Sequence, residues 1–488
     1  MKKTDLSSNI RKVMVVYLIL LLGLITYITY FNLFKAPEIA QMPSNNRLWA
    51  KRNEVLRGTI YDRDGNALTS GERTGALTQT RQYLKGDLFS HILGYVNPKY
   101  GLTGLEKLYD SQLINYDSTS LKNFLKSFNF KKDFKNRESD DKKIGNSLVT
   151  TLSTKVQQVA YDALGNNKGA VVALNPKTGE ILASVSKPTF NPNDLDNAMK
   201  AANSNADNHI MINRAVSGMY PPGSTFKVVT LSSALENITG IVDRTFNDTG
   251  KIDFGGNNKP LPNENGAAYG SISLKKALSV SSNVVFGTLA MELGNSNLKK
   301  TSEAYGFNLG IPSDGVIIDN SIFPTLPKAE KGNIARSGIG QSSILATPMQ
   351  MALITSTIAN NGVMMEPHLV NKVVNKDGDV VETIAPKEIK RVISKENASI
   401  IKNYMKGVVD DRINGRWTSF KGLNAAAKTG TAEWEKNGKL QTPHSWFIGF
   451  APVDNPTVAV AVIVEEGGAG SGIASQIGAK VMRAALGK

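Results

Sequence analysis

Serine and lysine recur three residues apart in this chain, and that spacing can support nucleophilic catalysis. On a helix, residues at this separation share one face, so a lysine amine can reach the hydroxyl of the preceding serine. A neutral amine in that place can accept the hydroxyl proton and activate the oxygen. Exposed polar residues also produce this pattern by chance. It occurs at Ser139/Lys142, Ser184/Lys187, Ser224/Lys227, Ser273/Lys276 and Ser399/Lys402.

The residues around Ser224 distinguish one of these pairs. Pro221, Pro222 and Gly223 end the preceding segment, and an amphipathic helix is predicted to start directly after them. A serine at a helix N-terminus lies at the positive end of the helix dipole, and its own N–H is free to bind an oxyanion. Apolar residues on both sides of Lys227 would bury its amine, and burial lowers the pKa of an amine toward the neutral form.

Two more short patterns contain candidate polar groups. The first is Ser281-Ser282-Asn283, which lies in a predicted helical stretch over 273–293; taken alone, it fits a helix cap or turn. The second is Lys-Thr-Gly, which occurs at 177–179 and again at 428–430. The earlier copy joins two β-rich runs with Pro and Gly at turn spacing, so it is predicted to be a hairpin connector.

The order Ser-x-x-Lys, Ser-x-Asn, Lys-Thr-Gly is that of penicillin-binding proteins and serine β-lactamases. Beyond these motifs, the chain resembles a class B penicillin-binding protein, a membrane-anchored peptidoglycan D,D-transpeptidase. The resemblance covers nearly all of the chain after an N-terminal apolar span. The blocks that carry it, besides those motifs, are Asn46-Arg47, RGTIYDRDG (57–65), GLTGLE (101–106), 169–193, 213–227, SGIGQSSILATPMQMA (337–352) and AAAKTGTAEW (425–434).

This resemblance implies a role for each residue of the first two motifs. Ser224 would attack the carbonyl of the penultimate D-Ala in a stem peptide and release the terminal D-Ala. Lys227 would accept the Ser224 proton. Ser281 would relay a proton to the leaving amine, and Asn283 would hold the substrate amide. β-Lactams would acylate Ser224 by the same route.

The third motif is implied to bind the substrate. Lys428 would attract the terminal carboxylate and lower the pKa of the lysine of the first motif. Gly430 would let a substrate backbone approach the strand, and Thr429 and Thr431 would offer hydroxyls to the carboxylate. The N–H groups of Thr431 and Ser224 would form the oxyanion hole. No metal or organic cofactor is implied.

The implied partners are peptidoglycan stem peptides, as donor and as amine acceptor, and a membrane glycosyltransferase of the shape-and-division family.

A membrane-tethered β-lactamase shares the three motifs, but no convincing E-x-x-x-N deacylating loop lies between the second and third. A D,D-carboxypeptidase would use the same residues with water as acceptor. A non-catalytic β-lactam sensor or scaffold has no chemical need for the whole motif set. No region remains for a glycosyltransferase domain.

One apolar run near the N-terminus is predicted to anchor the chain in a membrane. Residues 13–34 carry no charge and are long enough to cross a hydrocarbon core of roughly 30 Å as a helix. The tail over 1–12 contains lysine and arginine, which predicts a cytoplasmic N-terminus and a catalytic region outside the bacterial cell membrane. The apolar run is longer than that of a signal peptide and leads into no small-x-small cleavage site.

Two regions are predicted after the span. Residues 36–150 form a small, mostly β module, short for a class B enzyme, with a hairpin signal at Asp64-Gly65. The basic segment 114–146 matches no recognised pattern. Residues 151–488 form the transpeptidase domain, an α/β fold with a mainly antiparallel sheet flanked by helices. Its best strands are 445–450 and 457–466, and its helices include 153–165, 227–236, 347–360 and 475–486.

The amino-acid composition excludes several kinds of catalytic and binding site. The chain has no cysteine, which removes disulfides, thiolate metal sites and a cysteine nucleophile. Its four histidines form no ligand-spaced pair, and no G-x-S-x-G elbow occurs. The formal charge is +15, but Lys and Arg are dispersed and no nucleic-acid-binding motif accompanies them. A basic surface that is solvated, or attracted to an anionic envelope, fits this pattern better than nucleic-acid binding.

Overall fold

The computed structural model describes residues 6–35, 46–75, 77–115, 143–204, 208–256 and 258–488. Most of the basic segment 114–146 and the Ser139/Lys142 pair lie outside these residues. Among the described residues, one helix, Ile10–Lys35, is long and apolar enough to cross a membrane, with a mean hydropathy of 2.3. This confirms the predicted apolar helix.

Short elements make up the region that follows this helix. Their bounds, with those of the apolar helix, are α1 (Leu6–Tyr30, continued by a π-helical turn over Phe31–Lys35), α2 (Asn46–Asn53), β1 (Ile60–Tyr61), β2 (Thr69–Gly75), β3 (Thr78–Tyr83), α3 (Ser90–Leu93), β4 (Val96–Asn97), β5 (Gly101–Leu102), α4 (Gly104–Leu108), α5 (Asp110–Leu113) and β6 (Ser147–Thr150). The pairs β2/β3 and β4/β5 are antiparallel.

The predicted hairpin at Asp64-Gly65 is a tight turn with only one bridge, between Tyr61 and Ala67. The carboxylate of Asp62 accepts hydrogen bonds from the N–H groups of residues 64 and 66, at 3.0 and 2.8 Å, and so closes the turn. After the turn the chain pairs back along β1 for a short distance through two hydrogen bonds, from the N–H of Asp62 to the carbonyl of Asn66 at 2.9 Å and from the N–H of Leu68 to the carbonyl of Ile60 at 2.8 Å. It continues into β2, while β1 pairs in parallel with β6.

The block RGTIYDRDG also contributes a buried ionic cluster. Arg57 donates from Nε to Glu106 at 2.6 Å and from Nη1 to Asp110 at 2.6 Å, and Arg81 donates to the second oxygen of Glu106 at 2.7 Å. Burial alone would raise the pKa of Glu106, but Arg81 and Arg57 hold it below its ordinary value. Arg57 therefore joins segments of this region that are distant in sequence.

A larger α/β domain follows. Its helices are α6 (Thr154–Leu164), α7 (Leu195–Ser204), α8 (Arg214–Ser217), α9 (Lys227–Asn237), α10 (Leu274–Val280), α11 (Asn283–Ala304, broken at Gly294), α12 (Lys331–Ser337), α13 (Pro348–Ala359), α14 (Lys395–Asp410) and α15 (Ile473–Ala485). Its strands are β7 (Gly169–Leu174), β8 (Ile181–Lys187), β9 (Thr245–Asp248), β10 (Lys251–Ile252), β11 (Leu261–Pro262), β12 (Gly270–Ser273), β13 (Val363–Met365), β14 (Val370–Val374), β15 (Val380–Thr383), β16 (Glu388–Arg391), β17 (Ala426–Ala432), β18 (Glu435–Lys436), β19 (Lys439–Leu440), β20 (His444–Ala451) and β21 (Val458–Val464).

The central sheet has five antiparallel strands in the order β17-β20-β21-β7-β8. Every residue of β7, β20 and β21 is buried, so both faces of the sheet must be covered. Helices α6 and α15 pack on each other and against the sheet, and the wholly buried α13 packs against β7, β20 and β21. The predicted α/β class with a mainly antiparallel sheet is confirmed.

A second sheet joins the two regions. Strand β6 pairs in parallel with β1 and antiparallel with β14, which comes from the later part of the chain. Strand β15 completes the order β1-β6-β14-β15. The N-terminal region is therefore held to the larger domain by backbone hydrogen bonds as well as by side chains.

The predicted single helix over 273–293 is wrong. Ser281 adopts a left-handed backbone conformation with φ 60°, which ends α10. Ser282 then caps α11, because its Oγ accepts a hydrogen bond from the N–H of Val285 at 3.0 Å. Hydrophobic periodicity continues across this break, so the pattern did not reveal it.

Packing of α15 on the sheet can be tested at Gly478. A Cβ at this position would lie 2.3 Å from the ring of Phe447, which is itself packed against Trp417 and Phe420. We expect Gly478→Ala to lower the free energy of unfolding by about 1–3 kcal/mol, measured by thermal or denaturant unfolding of the detergent-solubilised chain.

The matched control is another helical glycine. A Cβ at Gly407 meets only the Cε of Lys275, at 3.1 Å, and this flexible side chain can move. Gly407→Ala should be neutral or stabilising by up to about 1 kcal/mol, through helix propensity. Equal effects of the two substitutions would contradict this packing of α15.

Candidate active site

Ser224 lies in a tight turn that leads directly into a helix. A 3-10 turn over Gly223–Phe226 continues into α9, which confirms the helix predicted directly after Gly223, although the α-helix itself begins at Lys227. Gly223 has φ +54°, and a Cβ there would lie 2.6 Å from the carbonyl oxygen of Thr431 on β17. The turn therefore rests against the edge strand of the sheet, at a distance that only glycine allows.

A second glycine supports the turn from another side. Gly340 has φ +73°, and a Cβ there would lie 2.1 Å from the carbonyl oxygen of Gly223. The N–H of Gly223 donates to the carbonyl of Gly340 at 2.9 Å. The block 337–352, noted in the sequence for its resemblance, thus supplies part of the support for the serine turn.

Lys227 is the first residue of α9, and its side chain is fully buried. Its Nζ lies within hydrogen-bond distance of three oxygens: the carbonyl oxygen of Ser281 at 2.7 Å, Ser281 Oγ at 3.1 Å and Asn283 Oδ1 at 2.8 Å. The first and second motifs therefore meet at one amine. The break at Ser281 that sequence periodicity missed is what turns these three oxygens toward Lys227.

Lys428 reaches the same hydroxyl from the sheet. It lies on β17 in register with Ile448 of β20, and its Nζ donates to Ser281 Oγ at 2.9 Å and to the carbonyl of Thr429 at 2.8 Å. Ser281 Oγ is thus within hydrogen-bond distance of two lysine amines. The later copy of Lys-Thr-Gly joins the other two motifs, whereas the earlier copy lies in the predicted hairpin between β7 and β8.

Ser224 is partly exposed, and within the described ranges its hydroxyl forms no hydrogen bond with a side chain or backbone group. The predicted contact between Ser224 Oγ and Lys227 Nζ is therefore not made in this structure. The amine is occupied by the second motif instead. Catalytic hydrogen bonds often close only when substrate is bound.

The rest of the third motif lines the edge of the sheet. Thr429 and Thr431 alternate with Gly430 along β17, and both threonines are partly exposed. A Cβ on Gly430 would lie 2.9 Å from the carbonyl of Pro222, so glycine is needed where the strand meets the serine turn. Gly470 approaches from the loop after β21, and its N–H donates to Thr431 Oγ1 at 3.2 Å. Sequence reasoning did not identify this glycine loop.

Burial dominates the electrostatics of the two amines. Desolvation lowers the pKa of Lys227 well below its ordinary value, and the positive charge of Lys428 lowers it further, while Glu264 and Asp248 oppose the shift. Desolvation also lowers the pKa of Lys428, to about 7, with Arg412 acting in the same direction. The predicted influence of Lys428 on Lys227 thus has the expected direction, and both effects favour the neutral form of the amine, which a base requires.

Arg412 is a residue that sequence reasoning missed. It lies just after α14, donates to the carbonyls of Ser279 at 2.6 Å and Val408 at 2.9 Å, and stacks 5.5 Å from the ring centre of Trp417. It therefore anchors the end of α10, directly before Ser281, and adds positive charge near Lys428. Nothing in the local sequence distinguishes it from other arginines.

Two family profiles match the chain. Residues 169–483 match the penicillin binding protein transpeptidase domain. Residues 57–134 match the penicillin binding protein A dimerisation domain. The first match includes all three motifs.

Similar proteins span almost the whole chain. A peptidoglycan D,D-transpeptidase, PbpA of Mycolicibacterium smegmatis, is 31% identical over 502 residues, which is 99% of each chain. The D,D-transpeptidase domain of a peptidoglycan glycosyltransferase from Eggerthella lenta aligns with a TM-score of 0.77 and 34% identity, over 89% of this chain and 99% of that one. Penicillin-binding protein A from M. tuberculosis, solved as its penicillin G acyl-enzyme, aligns with a TM-score of 0.79 and 31% identity, over 88% and 100%.

The lowered pKa of Lys428 predicts a pH-dependent cost in stability. The pKa is about 7 in the folded chain against 10.5 ordinarily, so between these pH values the unfolded chain binds more protons. Stability of the wild type should therefore rise with pH through this window. Lys428→Met removes the group whose protonation differs between the folded and the unfolded chain, so the variant lacks this dependence of stability on pH. The difference in Tm, variant minus wild type, should be largest near pH 6 and shrink by a few degrees toward pH 10.

The control is Lys439, which is exposed on β19. Lys439→Met should give a difference in Tm that does not change with pH. Differential scanning fluorimetry of the solubilised chain measures both variants. A pH-independent difference for Lys428→Met would contradict the lowered pKa.

Proposed function

The chain belongs to the penicillin-binding protein transpeptidase family, and from this premise we infer that it is a peptidoglycan D,D-transpeptidase. One relative forms an acyl-enzyme with penicillin G. β-Lactams acylate the present chain in the same way, and Ser224 is the residue that we assign as the nucleophile. The observation that supports this assignment best is the meeting of the two lysine amines at Ser281 Oγ, beside the turn that holds Ser224.

The first half-reaction forms the acyl-enzyme. Ser224 Oγ attacks the carbonyl of the penultimate D-Ala, and its proton passes to the neutral amine of Lys227. The bond from Ser224 oxygen to the carbonyl carbon forms, and the bond from that carbon to the terminal D-Ala nitrogen breaks. The departing amine takes up a proton, which Lys227 passes on through Ser281 Oγ, 3.1 Å away.

The second half-reaction transfers the acyl group to an amine. The amine of a neighbouring stem peptide attacks the ester carbon, and its proton returns along the path through Ser281 and Lys227. The new amide bond is the cross-link, and the Ser224 oxygen recovers its proton. Asn283 holds the substrate amide in both steps; its Oδ1 faces Lys227 and its Nδ2 donates to the carbonyl of Pro262.

Strand β17 binds the C-terminal end of the donor peptide. Lys428, in its protonated form, attracts the terminal carboxylate, and the hydroxyls of Thr429 and Thr431 add hydrogen bonds. The N–H groups of Ser224 and Thr431 stabilise the oxyanion that forms during attack. The contact of Gly223 with the carbonyl of Thr431 supports this last pairing, because it brings the two backbone segments together.

The arrangement in the cell envelope follows from the apolar helix. We assign residues 1–12 to the cytoplasm, 13–34 to the bacterial cell membrane, and 36–150 and 151–488 to the module and the transpeptidase domain outside it. The positive charge before the span sets this orientation. The acceptor strands come from a membrane glycosyltransferase of the shape-and-division family, which contacts the span and the module.

Labelling with a fluorescent penicillin tests the nucleophile. Ser224→Ala should abolish covalent labelling of the purified chain, seen by gel fluorescence and by mass spectrometry. Ser399→Ala is the matched control, because Ser399 belongs to a Ser-x-x-Lys pair but is exposed on α14. It should label like the wild type. A labelled Ser224→Ala variant would overturn the assignment.

The same label separates the competing activities. A transpeptidase keeps the label for a long time in the absence of an acceptor amine. With a stem-peptide donor and an added amine it should release D-Ala and form the amide product. Rapid loss of the label would favour a β-lactamase, and D-Ala release with no amide product would favour a carboxypeptidase.

A span exchange tests the partner. Replacing residues 13–34 with an unrelated apolar helix of equal length should reduce co-purification with the glycosyltransferase several-fold, because helix packing in lipid depends on the side chains at the contact. Penicillin labelling of the exchanged chain is the control and should be unchanged. Undiminished co-purification would count against a contact through the span.

A further inference from the structure

A buried carboxylate lies behind the second motif. Asp248, the last residue of β9, is 1% exposed. Its two oxygens accept hydrogen bonds from Ser282 Oγ at 2.6 Å, from Asn263 Nδ2 at 2.7 and 2.9 Å, and from the N–H of Gly250 at 2.9 Å. Neither Asp248 nor Asn263 belongs to any of the three motifs. Both are distant from Ser282 in the sequence.

These partners hold the start of α11. The first N–H groups of a helix have no partner within the helix. Ser282 Oγ accepts from the N–H of Val285 at 3.0 Å. Asn263 Oδ1 accepts from the N–H of Asn283 at 2.7 Å and of Val284 at 3.1 Å. The helix that begins with Asn283 is therefore capped by two side chains, and Asp248 accepts a hydrogen bond from each.

Asp248 also fixes which way the Asn263 amide points. The Nδ2 of Asn263 donates to both oxygens of Asp248 and to the carbonyl of Ala267 at 2.7 Å. With the amide nitrogen held there, Oδ1 must face the N–H groups of α11. Without a carboxylate, the amide nitrogen keeps only the carbonyl of Ala267 as an acceptor. One buried acid thus controls both caps.

The consequence reaches the reacting groups. Ser281 and Asn283 flank Ser282, and their oxygens are the three acceptors around Lys227 Nζ. The charged groups that act on Lys227 come from several elements: Lys428 on β17, Glu264 in the turn after β11, and Asp248 on β9. Arg412 acts on Lys428 in turn. Asp248 is the negative charge in this set that is also bonded to the second motif.

We propose that Asp248 is a positioning residue of the transpeptidation site, which holds Ser281 and Asn283 against Lys227 through Ser282 and Asn263. The proposal rests on the proposed function, because it concerns the same reaction. A carboxylate is needed in this place for two reasons. It accepts from two caps at once, and its negative charge raises the pKa of Lys227 and so offsets part of the effect of burial.

Asp248→Asn is the test variant. It keeps the shape but places an amide where the Asn263 amide must donate, so one cap should turn away. We expect the second-order rate constant for acylation by penicillin at pH 7 to fall by about 10- to 100-fold, because a small misplacement of the reacting groups can cost about that much in rate. When this rate constant is plotted against pH, it rises on the acid side, and we call this rising part the acid limb. The acid limb should also move to lower pH, because removing a negative charge lowers the pKa of Lys227.

Asp62→Asn is the matched control. Asp62 is also fully buried and accepts side-chain hydrogen bonds from Thr154 at 2.5 Å and Asn66 at 3.0 Å, but it lies in the N-terminal region. It should lower Tm without changing the acylation rate of the folded chain or the position of the acid limb. Ser282→Ala is a second variant, which removes the hydrogen bond to Asp248 and the cap on Val285 but leaves Asn263 bonded to Asp248. It should lower the acylation rate by a smaller factor than Asp248→Asn.

All four chains, including the wild type, are compared in detergent below the lowest Tm. A slower Asp248→Asn with a shifted acid limb supports the proposal. The proposal is overturned if Asp248→Asn is acylated at the wild-type rate, or if Asp248→Asn has a lower Tm but its acid limb does not move. Neither result contradicts the proposed function. If Asp248→Asn does not fold, Ser282→Ala decides: a reduced rate supports the proposal, and an unchanged rate overturns it. A wild type that is not acylated at Ser224 overturns the proposed function and this proposal with it.

Discussion

Two lysine amines lie buried within hydrogen-bond distance of one serine hydroxyl. Within the described part of the chain, neither amine is paired with a carboxylate; their partners are hydroxyl, amide and carbonyl oxygens. A buried charge without a counter-ion is costly, so the site favours the neutral form of at least one amine. In the proposed function, that neutral amine is the base that activates Ser224. Burying two amines lowers the stability of the fold, and much of the local structure serves to hold them in place.

The scaffold achieves this by close backbone contact. The serine turn rests on the edge strand and on a neighbouring loop at distances that exclude a Cβ at Gly223 and Gly340. The break at Ser281 directs three oxygens to Lys227, and Arg412 holds the helix that ends there. The site also has a regular support, because β17 is the edge strand of the five-stranded sheet and the wholly buried α13 packs against that sheet. Preorganised groups of this kind need little rearrangement when charge develops on the substrate.

Much of this arrangement could be predicted from the sequence. Strong periodicity gave the helix after Ser224 and the buried strands β20 and β21, and the order of the motifs separated Lys428 from the hairpin copy at Lys177. The break at Ser281 could not be predicted, because apolar residues continue across it at helical spacing. Arg412, Asp248 and Asn263 could not be found either. Their roles come from contacts between distant segments, which no local pattern records.

The central claim is that Lys227 acts as a neutral base because burial and Lys428 lower its pKa. The most direct measurement is the second-order rate constant for acylation of the wild-type chain by penicillin, from pH 5 to pH 11. If the account is right, the rate rises on the acid side, levels off near neutrality and does not increase again toward the ordinary pKa of lysine, near 10.4. A rate that keeps rising up to that pH would show that Lys227 is protonated at neutral pH, and would contradict the account.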